Sequence, residues 1–244
     1  MPKFFVAGSN IGAGTVFISG SDAEHLKVLR MKLGDRIIVC DGDGVDHHCR
    51  LTKLGAGAAE AEILESVACP AEPNVECTVL AGMPKGEKAD LIVQKCTELG
   101  AARIVFFICE RCVSRPDGKS MDKKLQRWAR IAEEAAKQSG RGKIPEVAAA
   151  MDIGEAFDIA VKTEMPLFMY ETGERITLRE AMGQNPGFRT AAIITGPEGG
   201  FEPYEAELAG RLGIRICSMG ERILRCETAP LAALTAVMYE SGNM

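Results

Sequence analysis

The 244-residue chain reads as an α/β protein with a mostly parallel sheet, preceded by a small β-barrel. Three observations predict this. Its first seventy residues carry short strand-like runs divided by glycine-rich turns. A two-proline connector, Cys69-Pro70-Ala71-Glu72-Pro73-Asn74, then breaks the pattern. Beyond it, apolar strand-like runs alternate with helical segments, as a parallel sheet with crossover helices requires.

In the first region, 1–70, strands are expected at residues 3–7, 15–19, 36–41, 46–54 and 58–67. One helix, 22–29, interrupts them, with Ser21 or Asp22 as its cap. In the second region, 74–244, strands are expected at 75–81, 103–108, 166–170, 190–195 and 214–219. Helices are expected at 88–99, stopped by Gly100, and at 122–139, capped by Asp122. Further helices are placed at 153–162, 177–182, 203–212 and 229–240. The last of these is apolar on almost every face, which predicts burial all round, inside the domain or at a subunit interface.

Composition bounds the function classes. Hydrophobic residues make up 46% and charged residues 26%, as in soluble globular proteins. No apolar run approaches the ~20 residues of a membrane span, and polar residues follow the start too soon for a signal peptide. The nine cysteines are an odd number scattered through apolar stretches, which fits thiols in a reducing, cytoplasmic setting. Cys109 and Cys112 form a CxxC, but a zinc site needs a second pair or histidines at matching spacing, so buried structural thiols are expected there rather than metal or redox chemistry. The net charge is −5, yet residues 103–143 hold 11 basic and 5 acidic side chains, a net of +6. Such a segment is either a solvated helix face or a phosphate-binding surface on an acidic protein.

Three segments carry candidate chemistry. In Ile193-Ile194-Thr195-Gly196-Pro197-Glu198-Gly199-Gly200-Phe201, a buried strand runs straight into a glycine-rich loop. Ligands of parallel sheets sit beyond such strand ends. The GxGxxG and P-loop patterns are absent, so a tight structural turn remains the alternative. Met219-Gly220-Glu221-Arg222-Ile223-Leu224-Arg225-Cys226-Glu227-Thr228-Ala229 also follows a strand and precedes a helix that Thr228 could cap. The two loops could be walls of one pocket. In 127–141, the end of a helix presents Gln138, Ser139 and Arg141, suited to a phosphate or a polarised carbonyl, or simply to the helix dipole.

Four motifs occur in order: Gln94-Lys95-Cys96-Thr97-Glu98-Leu99-Gly100, Glu134-Ala135-Ala136-Lys137-Gln138-Ser139-Gly140-Arg141, Gly196-Pro197-Glu198-Gly199-Gly200-Phe201 and Ile223-Leu224-Arg225-Cys226-Glu227-Thr228-Ala229. Together they resemble the 16S rRNA (uracil-N3)-methyltransferase family over nearly the whole chain. His25-Leu26-Lys27-Val28-Leu29-Arg30 is also similar to that family's opening domain. One departure is Lys3, where the family often has Arg.

The resemblance implies a C-terminal SPOUT-like domain with a deep trefoil knot and an N-terminal PUA-like RNA-binding barrel. It implies S-adenosyl-L-methionine as cofactor, held by Thr195, Gly196, Pro197, Glu198, Gly199, Met219, Gly220, Ile223, Leu224 and Arg225, with the end of strand 166–170 as a third wall. It implies a homodimer acting on N3 of a uridine in 16S rRNA, in the decoding region of the small ribosomal subunit. Uracil N3 must lose a proton, so the developing anion needs stabilisation or a base. The three histidines, His25, His47 and His48, all lie in the first region. None is an obvious base; Arg141, to stabilise or position the uracilate, is the first catalytic candidate and Arg225 the second, while Glu198 is a weak candidate for proton acceptor and reads more readily as a structural carboxylate capping the following turn. RNA contacts are expected from Lys3, Lys27, Arg30, Arg115 and Arg141. The rival readings are a knotted methyltransferase acting on another RNA position, a non-catalytic ribosome-assembly factor, and a nucleotide-dependent oxidoreductase.

Overall fold

The computed structural model describes residues 1–6 and 8–244; the expected strand end at Ala7 lies outside the described residues. The chain divides into two compact units, Met1–Glu72 with Ala136–Ile144, and Pro73–Ala135 with Pro145–Met244. A single cut at the connector does not capture this, because 136–144 returns to the first unit.

The first unit holds β1 (Lys3–Phe5), β2 (Thr15–Ser19), α1 (Gly20–Val28), β3 (Arg36–Cys40), β4 (Val45–Leu54) and β5 (Ala58–Ala68). They form one sheet in the order β1-β3-β4-β5-β2. The β1–β3 pair is parallel and the other pairs are antiparallel. Strand alternation sends Phe4, Val16, Ile18, Ile37, Val39, Leu51 and Ala61 to one face, where they form a core. Two register shifts between β4 and β5, at His48/Cys49 and Leu51/Lys53, are the irregularities that bend such a sheet. Among the described residues the sheet curls into a half-barrel rather than a closed one, with β1 and β2 as its two edges. The reason lies in α1, which packs on β2 and β5 and adds Ala23 and Leu26 to the core. The helix covers apolar surface that closure would otherwise have to bury. Its cap position is Ser19, not Ser21 or Asp22, and it makes no side-chain cap bond.

The second unit holds β6 (Glu76–Gly82), α2 (Lys88–Glu98), β7 (Arg103–Phe107), β8 (Glu146–Ala149), α4 (Ile153–Ala160), β9 (Met165–Met169), β10 (Ile176–Thr177), α5 (Leu178–Gly183), β11 (Thr190–Thr195), α6 (Pro203–Arg211), β12 (Arg215–Ser218) and α7 (Thr228–Glu240). The long helix α3 (Gly118–Ser139) starts in this unit. The sheet order is β10-β12-β9-β11-β6-β7-β8. Every pairing in it is parallel. Its central strands are buried on both faces, so β9 is buried along its whole length and the strands read as continuous apolar runs. β8 and β10 were not expected; at four and two residues they carry no period to read. α3 starts four residues earlier than expected, because Asp117 rather than Asp122 caps it and accepts the Ser120 amide at 2.8 Å. α7 buries one stripe, Pro230, Ala233, Leu234, Val237 and Met238, against α2, α5, β6 and β11, and leaves Ala232 and Tyr239 exposed. Within the chain it is therefore buried along one stripe, and its other face is the part a subunit interface would have to cover. Its cap position is Glu227, and Thr228 is its first helical residue.

Candidate functional site

The carboxyl ends of β9 and β11 lie side by side in the sheet, and a cavity of about 400 Å³ opens beyond them. Its first wall is Met169, Tyr170 and Glu171 at the end of β9. Its second is Thr195 and the loop Gly196, Pro197, Glu198, Gly199, Gly200 and Phe201. Its third is Met219, Arg222, Ile223, Leu224, Arg225 and Cys226, with Ala229 from the start of α7 and Lys88 from the start of α2.

The second wall is a rigid turn. The Gly200 amide donates to the Pro197 carbonyl at 3.0 Å, and Gly200 takes a φ of +67°, a conformation that favours glycine. Underneath, Gly82 ends β6 so close to the loop that an added Cβ would stand 2.5 Å from Pro197 Cδ and 2.7 Å from its N. Phe201 anchors the far end, buried and stacked on Phe107 with a tilted contact to Phe168. Arg111 then clamps the loop from outside. Its Nη1 donates to the Gly199 carbonyl at 3.0 Å, while Nε and Nη2 donate to the Glu202 carboxylate at 2.7 and 3.1 Å. Buried Glu205 accepts the Glu202 and Glu110 amides at 2.8 and 3.0 Å, fixing α6 to the turn after β7.

Charge at the cavity rim is arranged around Lys88. Its ammonium donates to Glu198 Oε1 at 2.9 Å and lies 3.4 Å from Glu227 Oε2. Burial works to raise the Glu198 carboxyl, but bonds from Lys88 and the Lys85 amide prevail and hold it below the usual range. Glu198 is thus an ionised brace of the loop and poorly suited to accept a proton. Inside the cavity the exceptional group is Thr195. It is fully buried, and its hydroxyl has no protein partner among the described residues. Buried hydroxyls are ordinarily paired, so this one points to a ligand.

A family model described as an RNA methyltransferase domain matches residues 71–238, and an RNA methyltransferase PUA domain matches 18–64. The ribosomal RNA small subunit methyltransferase E of Bacillus subtilis is 34% identical, covering 94% of this chain and 91% of its own. The chain belongs to the RNA methyltransferase family. The Synechocystis protein of the same name is 33% identical over 96% of this chain and 76% of its own. The crystal structure of the Neisseria gonorrhoeae methyltransferase E bound to S-adenosyl methionine superposes with a TM-score of 0.82 at 33% identity, covering 98% of this chain and 97% of that one.

Within this methyltransferase, nine of the ten residues expected at the cofactor, Thr195, Gly196, Pro197, Glu198, Gly199, Met219, Ile223, Leu224 and Arg225, line one cavity. Gly220 does not line it; with a φ of +99° it turns the chain toward the third wall. Arg141 is not a lining residue either. It is buried in the first unit, where its guanidinium pairs with Glu72 at 2.9 Å. The same carboxylate accepts the Gly142 and Lys143 amides at 2.8 and 3.0 Å, so the pair fixes the segment after α3.

Lys3 and Arg115, expected at RNA, are engaged internally. The Lys3 side chain is 6% exposed, 2.6 Å from Asp46, and donates to the Gly140 carbonyl at 2.9 Å. Arg115 donates to the carbonyls of Cys109, Glu110 and Cys112. Lys27 and Arg30 are exposed on the first unit. Sequence reasoning missed Gly82, Lys88 and Arg111. A usable signal existed for Gly82, which ends an apolar strand as Gly196 follows another.

Proposed function

We propose that this chain transfers the methyl group of S-adenosyl-L-methionine to N3 of a uridine in 16S rRNA, within the decoding region of the small ribosomal subunit. The observation that carries the cofactor part is the buried, partnerless Thr195 hydroxyl on a cavity walled by three strand-end loops. The likeness to small-subunit rRNA methyltransferases over most of their length supports the substrate class. The cofactor's sulfonium supplies an activated methyl, so the protein must bind, orient and control charge.

Thr195 and the backbone of residues 196–200 would hold the cofactor, while Met219, Ile223 and Leu224 would cover its apolar parts. Arg225 lines the cavity and is exposed, which suits it to face the uracil and stabilise charge developing on the carbonyl oxygens beside N3. Arg141 then acts through structure, by holding the segment after α3. Phosphates would be met by Lys27 and Arg30 on the first unit, and by exposed Lys119, Lys123 and Arg130 on the second.

The knot also belongs to this reading. β12 lies outside β9 in sheet order, yet α7 packs on β11 and β6, so residues 219–227 cross the end of β9. Threading of that crossing through the loop after β9 would make the trefoil. A homodimer in the cytoplasm is the setting the family resemblance implies, and no helix among the described residues is long and apolar enough to cross a membrane.

The test is methyl transfer from labelled S-adenosyl-L-methionine to small ribosomal subunits that lack the modification, with the product nucleoside identified by chromatography. N3-methyluridine is expected. Another methylated nucleoside would reject the target position. Failure to bind cofactor would reject the enzymatic reading.

A further inference from the structure

The CxxC of residues 109–112 lies outside the cofactor cavity but is wired to it. Cys109 and Cys112 are both buried, 3% and 4% exposed, with their sulfurs 3.5 Å apart. A tight turn holds them: the Cys112 amide donates to the Cys109 carbonyl at 3.1 Å, and the Cys109 amide reaches Cys112 Sγ at 3.4 Å. The two residues between the cysteines are the ones that position the loop. Glu110 gives its amide to Glu205, and Arg111 grips Glu202 and the Gly199 carbonyl.

We propose that Cys109 and Cys112 are a peroxide-oxidisable dithiol, and that closing it as a disulfide loosens the Gly199 side of the cofactor loop. The chemistry balances. The Cys112 thiolate attacks hydrogen peroxide, breaking the O–O bond to give a sulfenic acid and, with the proton released, water. The Cys109 sulfur then displaces that hydroxyl, its proton leaving with it as a second water. Two thiols lose two electrons, and the peroxide gains them. Cys112 is the attacking member: the bond from Cys109 holds its thiol below the ordinary value against the effect of burial, helped by backbone amides and Arg115. The sulfurs must close from 3.5 Å to covalent distance, about 2.0 Å, and the turn carrying Glu110 and Arg111 must follow. The disulfide does not depend on the cofactor reading above; only its effect on cofactor binding rests on that reading.

The experiment takes the full reduced chain, treats it with hydrogen peroxide, blocks remaining thiols and maps the peptides. A disulfide joining Cys109 to Cys112 is expected, reversible by dithiothreitol. Hydrogen exchange over residues 196–201 should accelerate several-fold in the oxidised form, and S-adenosyl-L-methionine affinity should fall several-fold, both returning on reduction. Cys112→Ser should show neither change; the reversible wild-type response is the internal control if that variant folds poorly. Oxidation at other cysteines, or no disulfide, would overturn the dithiol. A disulfide that leaves exchange at 196–201 unaltered would overturn the coupling. Accelerated exchange in a chain that never binds the cofactor would sustain the device while rejecting the cofactor reading.

Discussion

Replacing Thr195 by valine separates the cost of a ligand-binding group from its benefit. The side chain is fully buried at the end of β11, and its hydroxyl has no protein partner among the described residues. Leaving a buried hydroxyl unpaired costs about 1–3 kcal/mol. Valine keeps the β-branched shape that fits the strand and removes only the polar atom. Thr195→Val should therefore stabilise the unliganded protein by about 1–3 kcal/mol, or about 2–4 °C in Tm for each kcal/mol in a chain of this size. The same free energy is recovered by threonine when a ligand pairs with the hydroxyl. Cofactor affinity should thus fall by about the same amount, roughly 5- to 150-fold. Thermal unfolding and calorimetric titration with S-adenosyl-L-methionine measure the two halves of this cycle. A variant that is less stable, or that binds the cofactor as tightly as wild type, would refute the assignment of this hydroxyl to the ligand.

Gly82→Ala places a methyl against the Pro197 backbone, which cannot yield as a flexible side chain would. It should cost about 1–3 kcal/mol by overpacking, read as a lower urea midpoint at constant slope, and should weaken cofactor binding through the displaced loop. Arg141→Ala removes a buried guanidinium and leaves the partly exposed Glu72 carboxylate with only the Gly142 and Lys143 amides, which should cost about 1–3 kcal/mol by urea unfolding. An Arg141→Ala protein of wild-type stability that binds cofactor but does not turn over would instead restore Arg141 as a catalytic residue. The Lys88–Glu198 pair sets a pH window. Glu198 is depressed despite the opposing effect of burial, so its contribution is complete above its ordinary value, about 4.3, and is lost as pH falls through its lower folded value. Lys88 is raised by its bond to Glu198, so its contribution is complete below about 10.4 and is lost only above that. Lys88→Met should therefore weaken cofactor binding by a constant factor between about pH 5 and about pH 10; convergence with wild type inside that window would show that the pair does not act as described.

The sequence alone determined the alternation of strands and helices, the connector near residue 70 and the two loops that wall the cavity. Those features are local: a buried strand needs a continuous apolar run, and a loop that folds back on itself needs glycine where φ is positive, as at Gly200. Tertiary structure decided the rest. The apolar character of α7 predicted burial all round without saying against what; within the chain, its packing on α2, α5, β6 and β11 buries one stripe and leaves Ala232 outside. Arg141 read equally well as a substrate contact or a structural cation, because a charge at a helix end looks the same in sequence whatever meets it. What meets it is Glu72, 69 positions away. Lys3 likewise became an internal ion pair with Asp46, and Arg111 became the clamp on Gly199 and Glu202. A charged side chain is assigned by its partner, and partners distant in sequence are fixed by the fold rather than by local pattern.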